Sequence, residues 1–242
     1  MSSNERVRWH DFVLPCLLVA AITAYCWHSV NNPQDNIVAN HLTAERIFQR
    51  LSEHIRIVLI SASLAILTAF PLGIILTRSM FRKFANFVVN IVNVGQTVPN
   101  LAVIAIFVGI LGIGLPTAVF AIWVYSLLPI LANTIAGITT VPAHTIDAAK
   151  GMGMKPMRIL FRIEIPLASQ VILAGVRTAI VINIATAIVA GFVGAGGLGD
   201  LIIAGNNVRR LQIMLVGAGL SATMAIVTDQ LLGIAQKLLP KQ

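Results

Sequence analysis

The chain has 242 residues, of which 57% are hydrophobic and only 11% charged, and its mean hydropathy is +0.87. That is too little polar surface to cover a water-soluble globule, so the composition reads as an integral membrane protein. The formal net charge of +8 does not point to nucleic acid, because Lys and Arg are divided among short segments between apolar runs rather than gathered on one face.

Arg6 and Arg8 precede an apolar run over residues 12–27, about 24 Å long as a helix and near the lower limit for a span. The run resembles the start of a signal peptide. Its candidate cleavage site, Ala24-Tyr25-Cys26, has a bulky middle and Trp27 next, so it is read as a retained first span. Cys16 and Cys26 within it are about 15 Å apart on a helix, too far to pair, and no Cys or His stands near them at metal-ligand spacing. Residues 31–53 are polar, with Ile47, Phe48 and Leu51 on one face, and predict a surface helix outside the membrane. A second span is expected over 57–76, where Pro71-Leu72-Gly73 can kink its far end.

After Arg78, Arg82 and Lys83 comes an apolar stretch, 84–113, that is too long for a simple span and is interrupted. At Gly95-Gln96-Thr97-Val98-Pro99-Asn100, Pro99 cannot donate to a helix and Val98 is pushed towards an extended conformation. Such a break in hydrocarbon is either buried in protein, satisfied by neighbouring helices, or faces a water-filled path, which makes Gln96, Thr97, Pro99 and Asn100 candidate pathway residues. The fourth span, 117–138, is interrupted by Tyr125, Ser126, Asn133 and Thr134; Tyr125, Asn133 and Thr134 join the pathway candidates. Trp123 and Tyr125 are aromatic faces of the kind that hold quaternary ammonium groups, but positions i and i+2 point in different directions, so a core or interfacial role fits them better.

The most charged internal segment follows, residues 141–166. Thr145 is suited to cap a short helix carrying Asp147, Ala148 and Ala149, and Gly153 to a tight turn. Pro156 suits the first turn of a second helix, on which Met157, Leu160 and Phe161 share one face and Lys155, Arg158 and Arg162 another. Pro166 is expected to stop it. The pattern predicts a helix–turn–helix on the membrane surface whose small Ala residues and apolar ridge form a docking element. A fifth span over 167–192, a Gly-rich turn and a sixth span over 211–234 complete an all-α polytopic chain of about six spans. Residues 1–53 form an N-terminal span and external segment, and 54–236 the transmembrane core containing the 141–166 loop.

If that loop is cytoplasmic, the inside holds Arg6, Arg8, Arg78, Arg82, Lys83, Lys150, Lys155, Arg158, Arg162, Lys237 and Lys241, against Arg46, Arg50, Arg209 and Arg210 outside. The bias places both termini in the cytoplasm.

Asp147-Ala148-Ala149 with Gly153, closed by Ile163-Glu164-Ile165-Pro166, resembles the "EAA" coupling motif of binding-protein-dependent ABC importer permeases, with Asp147 where the family usually has Glu. Further segments, Gln96 to Ala102, Leu128 to Thr134, Lys150 to Met154, Ile172 to Arg177 and Gly194 to Gly199, resemble the osmoprotectant branch, which imports glycine betaine, carnitine or choline. The resemblance implies two ATPase subunits that carry ATP and Mg, a second permease subunit, identical or not, and a periplasmic or lipid-anchored substrate-binding protein, all at a bacterial cytoplasmic membrane. It also implies that Asp147, Ala148, Ala149, Gly153, Met157, Leu160, Phe161 and Pro166 couple to the ATPase. A permease of the same architecture for an amino acid or sulfonate shares these features; a channel or structural membrane protein has no need of the 141–166 element.

Gly194-Ala195-Gly196-Gly197-Leu198-Gly199 also fits the dinucleotide fingerprint, but it follows a membrane span and has Leu220, not an acid, about twenty residues on. No phosphate-binding Gly-x-x-x-x-Gly-Lys-Ser/Thr loop occurs, and His10, His28, His41, His54 and His144 are scattered with no metal or nucleophile–base pattern. The sequence therefore points to no metal, no cofactor of its own and no catalysis. Arg177 and Asp229 lie inside apolar sequence in the cytoplasmic halves of the fifth and sixth spans, where they either pair with each other or snorkel to the headgroups.

Overall fold

The computed structural model describes residues 10–239, and these are helical throughout apart from short connections. The helices are α1 (His10–Asn31), α2 (Asn36–His41), α3 (Ala44–Thr77), α4 (Ala85–Thr97), α5 (Asn100–Leu111), α6 (Leu115–Thr139), α7 (Ala143–Gly151), α8 (Pro156–Ile159), α9 (Ile165–Thr186), α10 (Leu198–Asn207) and α11 (Leu211–Lys237). A medium without water leaves the backbone no partner but itself, and long Leu-, Ile-, Val- and Ala-rich runs meet that demand as helices.

Among the described residues, four helices are long and apolar enough to cross a membrane: Ala44–Thr77, Leu115–Thr139, Pro156–Val193 and Leu211–Lys237. A fifth crossing is reached only if the pair Arg82–Thr97 and Asn100–Leu111, bent by 96°, counts as one. The expected first span falls in α1, a continuous 22-residue helix outside that set which packs along α11. Arg6, Arg8 and Lys241 of the charge count lie outside the described residues.

Two boundaries differ from expectation. The predicted surface helix is not separate: Thr43 caps α3 by accepting from the Arg46 N–H at 3.2 Å, and the helix then runs unbroken into the second span, through Pro71. At 34 residues it is about 51 Å long and must project beyond a hydrocarbon layer of about 30 Å. Of its expected apolar face, Ile47 and Leu51 pack on Val38, Leu42, Leu198 and Ile213, while Phe48 points outwards. Nor does Pro166 stop a helix. A π-helical turn, Leu160–Glu164, widens the backbone just before it, with the Ile165 N–H bonded to the Leu160 carbonyl, so that α8 and α9 continue into one 38-residue rod.

α6 lies at the centre, packed along α3 on one side and α9 on the other. One apolar cluster joins Ile57 and Val58 of α3, Val103 and Ile104 of α5, Ile122 of α6 and Ile184 of α9. A second, further along the same helices, joins Ala65 and Ala69, Ile130 and Leu131, and Ala179. The helix α10 was not anticipated. It folds back against α11 after the Gly-rich turn, and Gly199 lies so close to the Ile188 carbonyl that a Cβ there would overlap it.

Candidate functional site: the docking loop and the ion pairs around it

The loop begins with α7. Pro142, not Thr145, stands at its cap, since the Thr145 and Ile146 N–H groups bond the Pro142 carbonyl at 3.1 and 3.4 Å and the helix starts at Ala143. Ile146 packs on Ile138, Val141, Ala168 and Ile172, which seats α7 against the ends of α6 and α9. Ala149 is fully buried. Asp147 is exposed and, among the described residues, pairs with Lys150 at 3.0 Å. Gly153 has φ +75, and its N–H and that of Met154 bond the Lys150 and Ala149 carbonyls at 2.9 and 3.1 Å, so it closes α7 in the left-handed conformation that a Cβ disfavours.

The ridge predicted from Met157, Leu160 and Phe161 is divided. Leu160 is 5% exposed and turned into the core, whereas Met157 and Phe161 are 64% and 60% exposed. Spacing of three and four puts all three on one face of an isolated helix, but the π-helical turn starts at Leu160 and shifts the register there. Met152 of the α7–α8 connection adds to the exposed apolar surface.

Behind this surface, the guanidinium of Arg78, at the end of α3, makes a two-pronged ion pair with Glu164, one contact at 3.3 Å. Glu164 is only 6% exposed. The pair borders a cleft of about 400 Å³ shared with Arg82, Thr139 and Ile146. Within the Ile163–Pro166 motif, Glu164 is an acid in the apolar margin of a span, the one sequence signal of this pair.

Arg177 and Asp229 form a bidentate ion pair between α9 and α11, both contacts at 2.6 Å. Gly233 leaves the room: a Cβ there would stand 2.8 Å from Arg177 Nη1.

The pathway candidates separate. Val98 is extended (ψ 130), and Gln96 donates from Nε2 to the Tyr125 carbonyl, tying the break to α6. Thr97 bonds its own helix at Val94 and is exposed, and Pro99 stands at the start of α5. Asn133 and Thr134 bond the carbonyls of Pro129 and Ile130 one turn back, and they pack on Gly175 and Gly73 where helices cross. The amide atoms of Asn100 and the Tyr125 hydroxyl are buried with no hydrogen-bond partner among the described residues. Trp123 donates to Thr68 at 3.0 Å and lies beside Phe120 with the ring planes tilted by 47°.

At the opposite end, Arg50 bridges Glu53 (2.8 Å) and Asp200 (2.9 Å), and Glu53 accepts the Gly197 N–H at 2.9 Å. Buried His54 reaches the Ile184 carbonyl through Nε2 (3.1 Å) and accepts the Leu198 N–H on Nδ1 (3.4 Å), so it is a neutral strut. Arg210 pairs with Asp35, whose carboxyl is held below its usual value first by the Val38 N–H and then by Arg210. The Gly-rich segment is thus a turn fastened to α3. Among the described residues no three His, Cys, Asp or Glu side chains gather as a metal site.

A bundle of membrane-length helices with a small helix docked across one end defines a polytopic integral membrane protein. The chain belongs to the family of binding-protein-dependent transport system inner membrane components, whose model matches residues 69–239. It is 43% identical over 185 residues to the choline transport system permease protein OpuBB of Bacillus subtilis, covering 76% of this chain and 84% of that one. It is 40% identical over 196 residues to the glycine betaine/carnitine/choline transport system permease protein OpuCB of the same organism, covering 81% and 89%. The osmoprotectant import permease protein OsmY of Salmonella typhimurium is 41% identical over 179 residues, covering 74% and 76%. The inward-facing MetNI methionine ABC transporter shares the fold, with TM-score 0.63 at 20% identity over 78% of this chain and 92% of that one.

Proposed function

We propose that the chain is the membrane-spanning permease of an ATP-driven importer for small quaternary ammonium osmoprotectants such as glycine betaine, carnitine and choline. The observation that carries this reading is the α7–α8 element. It is anchored by Ile146 and buried Ala149 and exposes Met152, Met157 and Phe161 on a chain whose relatives are named for those solutes. Two ATPase subunits, supplying ATP and Mg, dock there. A second permease subunit completes the translocation path, and an external binding protein, periplasmic or lipid-anchored, delivers the solute. This chain does no catalysis; it converts movement of α7 into movement of the spans.

The distribution of charge supports an orientation with that element and both termini in the cytoplasm of a bacterial inner membrane. Arg78, Arg82, Lys150, Lys155, Arg158 and Arg162 gather at the α7 end, and the Gln170 bond to the Leu239 carbonyl at 2.9 Å brings the end of α11 and Lys237 there too. Arg50, Arg209 and Arg210 lie at the α10 end. The Arg177–Asp229 pair then joins α9 and α11 in the inner half.

The test is ATP-dependent uptake of labelled glycine betaine, carnitine and choline into vesicles containing this chain, its ATPase and its binding protein, with Gly153→Glu in parallel. Saturable uptake of one of them, abolished by the substitution, is expected. Uptake of none of the three while the ATPase remains bound would discard the solute class.

A further inference from the structure

Around the first apolar cluster lies a layer of polar side chains, one from each of four helices. On α3, Ser61 stands one turn from Ile57 and Val58; on α6, Tyr125 packs on the cluster one turn from Ala121 and Ile122; on α9, Asn183 stands beside Ile184 and one turn from Ala187. Asn100 opens α5 just after the break, one turn from Val103 and Ile104. Ser61 and Asn183 are fully buried, and the Ser61 hydroxyl, the Tyr125 hydroxyl and both amide atoms of Asn100 and Asn183 have no hydrogen-bond partner among the described residues. Gln96, bonded to the Tyr125 carbonyl, holds the broken helix at this level.

Native proteins leave few buried polar groups unpaired, and each costs about 1–3 kcal/mol. Six such atoms on four helices around one apolar cluster are too many for random packing defects. Apolar residues would pack there without that penalty, so the layer is explained by a ligand that pairs these groups in another state of the helices. The chemistry of that ligand follows from the lining. No Asp, Glu, Lys, Arg or His occurs in residues 57–61, 100–104, 121–125 or 183–187, so these stretches have no charge to offer. It offers hydroxyl and amide donors that suit a carboxylate, and an aromatic ring and aliphatic walls that suit a methylated ammonium.

We propose that Ser61, Asn100, Tyr125 and Asn183 form an intramembrane binding site, closed in this conformation, for a small zwitterion bearing a carboxylate and a quaternary ammonium group. The proposal rests on the importer reading above and adds to it where the solute pauses. Binding repays the unpaired donors, so occupancy favours the state in which the helices part.

The decisive experiment uses the reconstituted complex of permease, ATPase and binding protein, with Asn100→Leu, Tyr125→Phe and Asn183→Leu. Each is expected to lower glycine betaine uptake at least tenfold, while ATP hydrolysis stimulated by loaded binding protein persists and the melting temperature is unchanged or raised. Unchanged uptake in all three would overturn the proposal. So would joint loss of uptake, hydrolysis and thermal stability, which would make the layer a structural girdle. Should the parent complex hydrolyse ATP yet import none of the solutes, the importer's solute class has failed and a second readout decides the site. Ser61→Cys, with Cys16→Ser and Cys26→Ser, is exposed to a methanethiosulfonate carrying a trimethylammonium group. Labelling in one nucleotide state supports a solute-sized path to the layer, and labelling in none overturns it.

Discussion

Arg78 and Glu164 are 86 positions apart in the chain and meet as a two-pronged ion pair between the end of α3 and the π-helical turn within the Pro156–Val193 rod. α7 lines the same cleft through Ala143 and Ile146, so the pair ties α3 to the rod directly beside it. Removing the guanidinium strands a nearly buried carboxylate, whereas removing the carboxylate leaves an arginine that water can still reach. Arg78→Ala is therefore expected to cost roughly 2 kcal/mol and Glu164→Gln less, read as a larger fall in melting temperature of the purified complex for the first. An equal fall for both would show that burial of Glu164 is not what makes the pair matter.

Met157 and Phe161 are solvent-facing in the isolated chain, so Met157→Asp and Phe161→Asp are expected to alter stability by no more than about 0.5 kcal/mol. They should nevertheless abolish co-purification of the ATPase, because a charge would be buried in its groove. Leu160→Ala is the contrasting variant: it leaves the exposed ridge in place but opens a cavity, costing about 2–5 kcal/mol. If ATPase binding follows stability across the three, the exposed ridge is not the contact.

For Arg177 and Asp229, either single charge reversal should lower stability by roughly 2 kcal/mol and reduce uptake, and the double reversal should recover part of both. Gly233→Ala tests the same geometry from the other side. Its methyl would stand against the guanidinium, so loss of melting temperature is expected without any change of charge. A double reversal no better than the singles would count against the pair as a fastener of α9 to α11.

Burial pushes the Asp200 carboxyl above its ordinary value of 3.8, with Glu53 adding to the effect and Arg50 opposing it. The folded chain therefore keeps a proton that the unfolded chain has already lost. The stability that Asp200 contributes is complete below 3.8 and declines as pH rises through its raised value. Asp200→Asn removes this dependence, so wild type should lose thermal stability relative to the variant as pH rises through that interval, then run parallel to it. A constant difference across the acid range would contradict the sign.

Residue types and their order were enough to make this an all-α membrane protein, to place the break at Pro99 and to set off 141–166 as a helix–turn–helix. Apolar runs in a medium without water have no alternative to helices, proline removes a donor wherever it stands, and charges in short loops are local features of the chain. What spacing could not settle was register and partnership. Leu160 leaves the face it shares with Met157 and Phe161, and Pro166 is absorbed into a span, because one π-helical turn between them resets the helix. Thr134 and Asn133 look like polar pathway residues in sequence, yet they pack against Gly73 and Gly175, a contact that exists only once α3, α6 and α9 cross. The Arg78–Glu164 pair, the Arg50–Glu53–Asp200 network and the unpaired layer of Ser61, Asn100, Tyr125 and Asn183 join residues from distant parts of the chain. No local period encodes such neighbours; packing of the helices selects them, because side chains are buried together only where apolar faces of complementary shape fix the crossing points.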